Sequence, residues 1–469
     1  MPVAADTVPP TRPASPRSRP SRLPAACDLR GIPAAVLKRA AWAKAVLIAT
    51  CGFSVGTAWA AEFMANAHAS IRSADASRHV STLADDAFEG REGGSRGGRA
   101  AGAYIVAQLE TMGLEPAGDN GSYYQNFNGM RNILALLRGS DPQLSQQLVI
   151  VGAHYDHVGY GNAANSYGPF GFVHNGADDN ASGVAGLLEL AESLQHLPAR
   201  PRRSILIAFW DGEEKGLLGS RHFLRVRPAP VVPFRPVFAV NFDMIGRLRG
   251  QRVTVYGTRT SVGLRSAVIR ANNDPAVRSG LEVAFDWDIE EDSDHYAFIT
   301  AGLPTVMFHT GLHDQYHRPS DDVQLVNFDG IEPVMRLALG FVAAIADDPG
   351  PLPAFRPLSR SESEATRRGL EAVAVPASSA SRGRWGIGTR SDPCEPNAPV
   401  VVRVVPDSPA ASGGLLPGDR IITLDGAEPR SQDDMLARLK AAVGGIVLNV
   451  ERHGRIIEIR MMPQDNAQP

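Results

Sequence analysis

Short apolar runs alternate with helical patterns along the middle of this chain. Between residues 132 and 347, five runs rich in Val and Ile are bounded by turn residues, as buried strands are: LVIVGAH, SILIAFW, PVFAVNFD, RVTVYG and PTVMFH. Between the first two lies SGVAGLLELAESLQHL, which has the spacing of an amphipathic helix. This order predicts an α/β domain at residues 65–347, with a mainly parallel sheet and helices on both faces.

A second, smaller unit follows a stretch of different composition. Residues 348–383 are rich in Pro, Ser, Arg and Ala, which is typical of a linker, and we expect one short helix in it near Ser361–Ala372. Residues 384–463 then show four strand patterns (VVVRVV, RIITLDG, IVLNVER, IIEIRMM) and one helical pattern, DDMLARLKAAV. We therefore expect a small β/α domain at this end of the chain.

The first sixty-one residues have the pattern of an export signal. Basic residues up to Lys44 precede an apolar run, Ala45 to Ala60, that is too short to span a bilayer and ends in an A-x-A cleavage pattern. We predict that residues 1–61 are a signal peptide and that the mature protein is periplasmic or secreted, without a membrane span. The alternatives are an uncleaved anchor and a lipoprotein attached at Cys51.

Charge and cysteine content narrow the function further. The formal net charge is -3, although residues 1–44 alone carry eight Lys/Arg and two Asp, so the rest of the chain is acidic. An acidic body gives no electrostatic reason to bind nucleic acid. Cys394 is the one cysteine of three beyond the export segment, so the mature chain cannot form an internal disulfide. Core packing and bound metal are then the expected sources of stability.

Acidic and histidine residues follow successive predicted strands. The carboxyl ends of parallel strands share one edge of a sheet, where ligands usually bind. Two imidazoles and three carboxylates at that edge suit zinc, and two cations about 3.5–4 Å apart can polarise a carbonyl and bind the attacking hydroxide. One carboxylate, Asp178, lies between the two histidine-bearing segments and is the natural bridge. The ligands that these strand ends offer are His154, Asp178, Glu213 or Glu214, Asp243 and His317.

Six motifs in this region, in this order, resemble those of peptidase family M28, the co-catalytic zinc peptidases: GAHYDH, NGADDNASG, FWDGEEKGLLGS, NFDMIG, SDHYAF and YHRPSDD. The resemblance runs from about Asp85 to Ala346. It implies a metal-dependent exopeptidase with two Zn²⁺ ions, most commonly an aminopeptidase acting on peptide N-termini.

The resemblance also implies a role for each matching residue. His154 and Asp243 would hold one Zn²⁺, Glu214 and His317 would hold the other, and Asp178 would bridge them. Glu213 would be the general base, Asp156 would orient His154, and the Asp178–Asp179 peptide would be cis. Five other histidines are expected to be bystanders or to line the pocket: His157, His174, His295, His309 and His313. Tyr316 is a candidate oxyanion stabiliser because it stands next to His317.

Two questions stay open in the sequence. The acidic run Ile289 to Asp292 replaces a Cys and a Tyr found in many secreted members of the family, and it either attracts a substrate's α-amino group or is a solvated loop. The alternative functions are a carboxypeptidase or aminoacylase on the same metal site, and a catalytically inactive peptide-binding protein.

The C-terminal unit resembles a PDZ domain over about eighty residues, most closely in SPAASGGLLPGDRIITLDG. PDZ domains bind peptide C-termini by strand addition, with backbone N–H groups capturing the carboxylate. The resemblance assigns that capture to Gly386, Ile387 and Gly388, and leaves open a module that binds no peptide.

Overall fold

The computed structural model describes residues 66–277, 279–373 and 383–463. The predicted export segment therefore lies outside the described residues. Among the described helices, none combines the length and the apolar character needed to cross a membrane.

Nine strands of the described chain form one large sheet in the order β1-β3-β5-β4-β6-β9-β7-β8, with β2 paired to β3. The four central strands, β5, β4, β6 and β9, run parallel, and antiparallel pairs join them to β3 and β7. All five strands expected from the apolar runs are present, and the predicted α/β class is confirmed. The strands are β1 (Glu115–Pro116), β2 (Tyr124–Phe127), β3 (Met130–Leu137), β4 (Gln147–His154), β5 (Ser204–Trp210), β6 (Arg235–Phe242), β7 (Arg252–Tyr256), β8 (Glu282–Asp286) and β9 (Thr305–His309).

Both faces of this sheet are covered by helices, as alternation along β4 shows. Val149 and Val151 pack into the larger apolar core, with α1, α2, α3, α5 and α7. Leu148 and Ile150 pack into a second core on the opposite face, with α4 and α6. Burial on both faces explains why the strands read as continuous apolar runs. The helices are α1 (Ser73–Leu83), α2 (Arg96–Thr111), α3 (Gly183–Gln195), α4 (Leu218–Arg225), α5 (Leu264–Asn272), α6 (His295–Thr300) and α7 (Phe328–Asp347).

The segment after α7 makes more contacts with the larger domain than its linker-like composition predicts. The expected short helix is present as α8 (Glu364–Glu371). Before it, Arg356 donates a backbone hydrogen bond to the Thr260 carbonyl and a side-chain bond to Glu362. Residues 350–373 therefore run along the larger domain instead of away from it.

The C-terminal domain is a five-stranded antiparallel sheet in sequence order, packed around its own apolar core. The tip of its last hairpin reaches the free edge of the large sheet, where Val283 of β8 donates a backbone hydrogen bond to the His453 carbonyl at 3.0 Å. The elements are β10 (Ile387–Asp392), β11 (Glu395–Val404), α9 (Pro409–Ser412), β12 (Arg420–Leu424), α10 (Gln432–Ala441), β13 (Ile446–Arg452) and β14 (Arg455–Met461).

Candidate metal centre

Four of the five candidate ligands, His154, Glu214, Asp243 and His317, meet at the carboxyl edge of the central strands. His154 ends β4, Glu213 and Glu214 follow β5, Asp243 follows β6, and His317 lies in the loop after β9. The acidic turn before α3 completes the set, and Gly176 makes that turn possible. Its φ is +53°, and a Cβ there would lie 2.1 Å from the Asp179 carbonyl oxygen.

Asp179, and not Asp178, lies between the two histidines. Its Oδ1 is 3.5 Å from Nε2 of His154, and its Oδ2 is 3.1 Å from Nε2 of His317. Nε2 of His154 also faces Asp243 at 3.4 Å, and Nε2 of His317 faces Glu214 at 3.1 Å. One carboxylate thus offers a separate oxygen to each half of the cluster, which is the arrangement of a bridging ligand.

The structure corrects the predicted position of Asp178. Its Oδ1 accepts hydrogen bonds from the backbone N–H of Gly246 at 2.6 Å and the hydroxyl of Ser182 at 2.9 Å, outside the cluster. The predicted cis Asp178–Asp179 peptide is also wrong, because the cis bond joins Asp179 to Asn180. Both errors are shifts of one residue in the same turn.

The spacing of these side chains fits zinc. Two donor atoms that each lie about 2.0–2.1 Å from a tetrahedral ion are roughly 3.3 Å apart. The four distances above are 3.1–3.5 Å, and the two pairs at 3.4 and 3.5 Å are long for N–H···O hydrogen bonds. The possible ligand atoms at this edge fall into two groups, and within each group all the atoms lie within 4.8 Å of one another. One group is His157, Asp179, Glu214 and His317, and the other is His154, Glu213 and Asp243.

His157 joins this cluster, although the sequence predicts only a bystander or a pocket-lining residue at this position. Its Nδ1 lies 2.8 Å from Oε1 of Glu214, whereas the other oxygen of Glu214 faces His317. A separation of 2.8 Å is a hydrogen bond and is shorter than the ligand–ligand spacing. His157 therefore orients Glu214, as partners of metal-binding carboxylates do.

Glu213 and Asp156 lie on the His154 side of the cluster. The carboxylate of Asp156 accepts a hydrogen bond from the Glu213 backbone at 3.0 Å, and Nδ1 of His154 lies 3.2 Å from the Asp156 carbonyl oxygen. Asp156 thus contacts His154 through its backbone carbonyl, and its carboxylate Oδ1 lies farther away, 3.8 Å from Nδ1. Burial raises the pKa of Glu213 well above its ordinary value, against the opposing effect of His154.

Charges in the other half of the cluster are strongly coupled. Burial opposes ionisation of Glu214, but hydrogen bonds from His157 and His317 outweigh it and lower the pKa of that carboxyl. Burial likewise lowers the pKa of His317, but Asp179 and Glu214 outweigh it and raise the value to about 11. The carboxylates thus attract positive charge at this position, whether it is a proton or a metal ion.

Two further residues that the sequence analysis did not single out hold the turn and its loop. Asp321 accepts hydrogen bonds from the backbone N–H groups of Asp178 and Asp179 at 2.9 and 3.0 Å. The buried guanidinium of Arg91 donates to the carbonyls of Tyr155 and Gly176, on either side of the loop that follows β4. Asp321 stands in the YHRPSDD motif, where spacing could have indicated it, but nothing in the pattern around Arg91 does so.

The cluster opens into a cavity of about 320 Å³ with a strongly acidic side. We call Asp286, Asp288, Glu290 and Asp292 the acidic wall, since all four line this cavity beside the cluster. No Lys or Arg is among the described residues that line it. Desolvation and repulsion from Asp243, Glu290 and Asp286 raise the pKa of Asp292 to about 6.

The remaining predicted residues divide between the cavity and the scaffold. His309 and Tyr316 line the cavity, and the Tyr316 ring stacks on His317 with centroids 3.9 Å apart. His313 lies 3.2 Å from Asp178, and His174 bonds to Ser166, so neither belongs to the cluster. His295 is buried in α6, and burial lowers its pKa to about 4.

The predicted peptide-capturing residues lie at the start of β10. Gly386 has a φ of +71°, and a Cβ there would lie 2.2 Å from Cβ of Ser408, so the turn requires glycine. Its carbonyl accepts a hydrogen bond from Val405 at 2.9 Å, and Ile387 and Gly388 open the strand. Peptide capture by these residues stays a prediction.

Comparison with known families gives two matches. The model of peptidase family M28 matches residues 132–342, and a PDZ domain model matches residues 400–448.

Several curated relatives of the larger domain are named aminopeptidases. The chain is 25% identical to leucine aminopeptidase 1 of Trichophyton rubrum, over 52% of this chain and 65% of that one. It is 27% identical to an aminopeptidase of Pseudomonas aeruginosa, over 45% of this chain and 40% of that one. The chain thus spans about half the length of these relatives. Among solved structures, the Legionella pneumophila LapA aminopeptidase shares the fold, with a TM-score of 0.50 and 17% identity over 61% of this chain and 75% of that one.

Proposed function

We propose, on the premise that residues 132–342 are a domain of peptidase family M28, that this protein is a two-zinc aminopeptidase that removes N-terminal residues from peptides. The observation that carries the proposal is the position of Asp179, which offers one oxygen to His154 and the other to His317. The proposed ligands are His154 and Asp243 for one ion and Glu214 and His317 for the other, with Asp179 in place of Asp178 as the bridge.

The residues of the chain divide the remaining work. Bound zinc supplies Lewis acidity toward a substrate carbonyl and an activated water. Glu213, whose carboxyl takes up a proton readily because burial raises its pKa, accepts the proton of the attacking water and passes it to the leaving amine. Asp156 holds the Glu213 backbone, and His157 holds Glu214. Tyr316, which stacks on His317 and lines the cavity, is the proposed hydrogen-bond donor to the substrate carbonyl.

The charge of the cavity favours an aminopeptidase over a carboxypeptidase. A carboxypeptidase must bind a substrate carboxylate, but the described lining contains no Lys or Arg and carries the acidic wall. A protonated α-amino group is attracted by the same surface. The acidic run thus supports binding of the substrate's α-amino group. The substrates of an aminoacylase are N-acylated and lack a cationic α-amino group, so an aminoacylase is disfavoured for the same reason.

The other proposals extend beyond the catalytic domain. Peptide C-termini are the proposed ligands of Gly386, Ile387 and Gly388 in the PDZ domain. Export to the periplasm or the medium rests on the N-terminal pattern alone. A catalytically inactive peptide-binding protein is disfavoured, because such a protein has no need for the bridged donor set.

The test is hydrolysis of amino-acid p-nitroanilides by the wild-type protein and Glu213→Gln, with zinc content measured in parallel. We expect kcat to fall about 10²- to 10⁴-fold in the variant while bound zinc is unchanged, because the variant loses the proton acceptor and no ligand. Glu192→Gln on α3 is the matched control and keeps full activity. Hydrolysis of N-acetylated peptides, with none of free ones, would favour the aminoacylase or carboxypeptidase instead.

A further inference from the structure

Arg259 joins three parts of the chain through a buried guanidinium. Its Nη1 donates to both oxygens of Asp392 in the C-terminal domain, at 2.6 and 2.8 Å. Its Nε and Nη2 donate to the two oxygens of Glu362, both at 2.9 Å. Glu362 lies in residues 350–373, the connecting segment between the two domains. Asp392 is fully buried and Arg259 is 5% exposed, so water does not compensate either charge.

The same guanidinium lies against a buried residue between the first two members of the acidic wall. It stacks over the ring of Trp287, 3.9 Å from the centroid, and Trp287 stands between Asp286 and Asp288. Two hydrogen bonds also join the connecting segment to this part of the acidic wall. The Trp287 backbone donates to Glu364 at 3.2 Å, and the Glu364 backbone donates to the Asp288 carboxylate at 3.1 Å.

Asp392 is itself held rigidly in the C-terminal domain. Arg420 donates to its Oδ2 at 2.9 Å, and the Cys394 backbone donates to its Oδ1 at 2.9 Å. The domain is anchored independently by Glu451, which accepts from Arg265 of α5 at 2.8 Å. Arg259 is held in turn by its two bonds to Glu362, so the buried charged contact between Arg259 and Asp392 has little freedom to relax.

We propose that the C-terminal domain sets the substrate affinity of the metal centre, by holding the acidic wall in place through Asp392, Arg259 and Trp287. These three are positioning residues, because none of them lines the cluster. This inference rests on the proposed aminopeptidase function, since it takes the wall to bind the substrate's α-amino group. It gives the domain a part in substrate binding that is separate from peptide capture.

The experiment compares Asp392→Asn with Asp419→Asn in the full-length zinc-loaded protein. Asp419 is a matched control, since it is 1% exposed in the same domain and pairs with Arg452, which does not touch Arg259. We expect KM for leucine p-nitroanilide to rise roughly 3- to 30-fold in Asp392→Asn, with kcat and zinc content close to wild type. Asp419→Asn keeps the wild-type KM.

Hydrogen–deuterium exchange at residues 284–292 supplies a readout that needs no activity. The inference expects faster exchange there in Asp392→Asn and not in Asp419→Asn. Glu362→Gln removes the other arm of the contact and gives the same two results if Asp392→Asn does not fold. Equal changes in Asp392→Asn and Asp419→Asn would overturn the inference and leave the proposed function intact. A wild-type protein without aminopeptidase activity would instead refute the function, while the exchange data would still test the contact.

Discussion

Two adjacent carboxylates have different tasks in the turn before α3. Asp179 faces His154 and His317, whereas Asp178 accepts hydrogen bonds from Gly246 and Ser182. A bridging carboxylate contributes to both metal sites, but a buried structural carboxylate contributes only the stability of its hydrogen bonds. The two positions can therefore be separated by substitution.

Asp179→Asn and Asp178→Asn should differ in metal content. Asp179→Asn loses at least one zinc per chain and most of its activity, because an amide cannot offer a charged oxygen to each ion. Asp178→Asn keeps its zinc and loses about 1–3 kcal/mol of stability through its weakened hydrogen bonds. Metal analysis and thermal melts of both variants check this. Zinc loss in Asp178→Asn alone would restore Asp178 as the bridge.

His157 should act on metal affinity through Glu214. His157→Ala removes the donor to Oε1 and should weaken zinc binding about 10- to 100-fold without lowering the saturating stoichiometry. His157→Asn places an amide N–H near the former Nδ1 and should restore much of that affinity. Competition with a chromogenic chelator measures both. A lower zinc stoichiometry in the two variants would make His157 a ligand.

Residue identities at the cluster could be predicted where a strand end dictates them. His154, Glu213, Glu214 and Asp243 each follow a buried strand, so the sheet itself brings them together. Whether Asp178 or Asp179 faces the cluster depends on the hydrogen bonds that hold this turn in place. Gly246, Ser182 and Asp321 make that choice through contacts of four to 143 residues in sequence separation, which periodicity does not record.

At the scale of elements, the loop after β8 should give the enzyme a pH dependence. Only the ionised form of Asp292 attracts an α-ammonium group, and its pKa is raised to about 6. The groups that face it are Asp243, Glu290, Asp286 and His295. Substrate binding should therefore strengthen as pH rises through about 6, while the substrate amine, with a pKa near 7.7–8.0, stays protonated.

The measurement is kcat/KM between pH 5 and 7 for the wild type, Asp292→Asn and Glu291→Gln. We expect a rise with a midpoint near pH 6 that is absent from Asp292→Asn. Glu291 pairs with Arg221 and does not line the cavity, so Glu291→Gln should keep the rise. A rise that persists in Asp292→Asn would assign the titration to another group.

Elements with a strong apolar period were the ones that the sequence predicted. The central strands and α3 are buried on both sides, so their composition records their environment. The stretch before α8 was expected to be a linker because it has few large apolar residues. Its attachment depends instead on polar contacts, such as those of Arg356 with Thr260 and Glu362, and composition does not distinguish such contacts from solvation.

At the scale of the whole molecule, the two domains should unfold together. Arg259 is buried and Arg265 is partly buried at their interface, and removing one partner of a buried ion pair costs about 3–5 kcal/mol. We expect one calorimetric transition for residues 62–469, and a lower melting temperature when residues 384–469 are deleted. Two separate transitions, with the first leaving the metal centre intact, would show that the contact is weak.

The composition of the chain indicates that there are two domains, but it does not indicate which residues join them. Arg259 and Asp392 are 133 residues apart, and each could equally be a solvated surface charge when taken alone. Only the folded chain shows that a C-terminal aspartate and a residue beside the acidic wall share one guanidinium.

The hydrogen bond between Val283 and His453 bears on whether copies of the protein associate with one another. β8 is the last strand of the large sheet, and an open edge strand is a template for pairing with another copy. The tip of the C-terminal hairpin occupies that edge. Deletion of residues 384–469 would thus leave the larger domain with its proposed metal ligands in place and with β8 open to pairing with another copy.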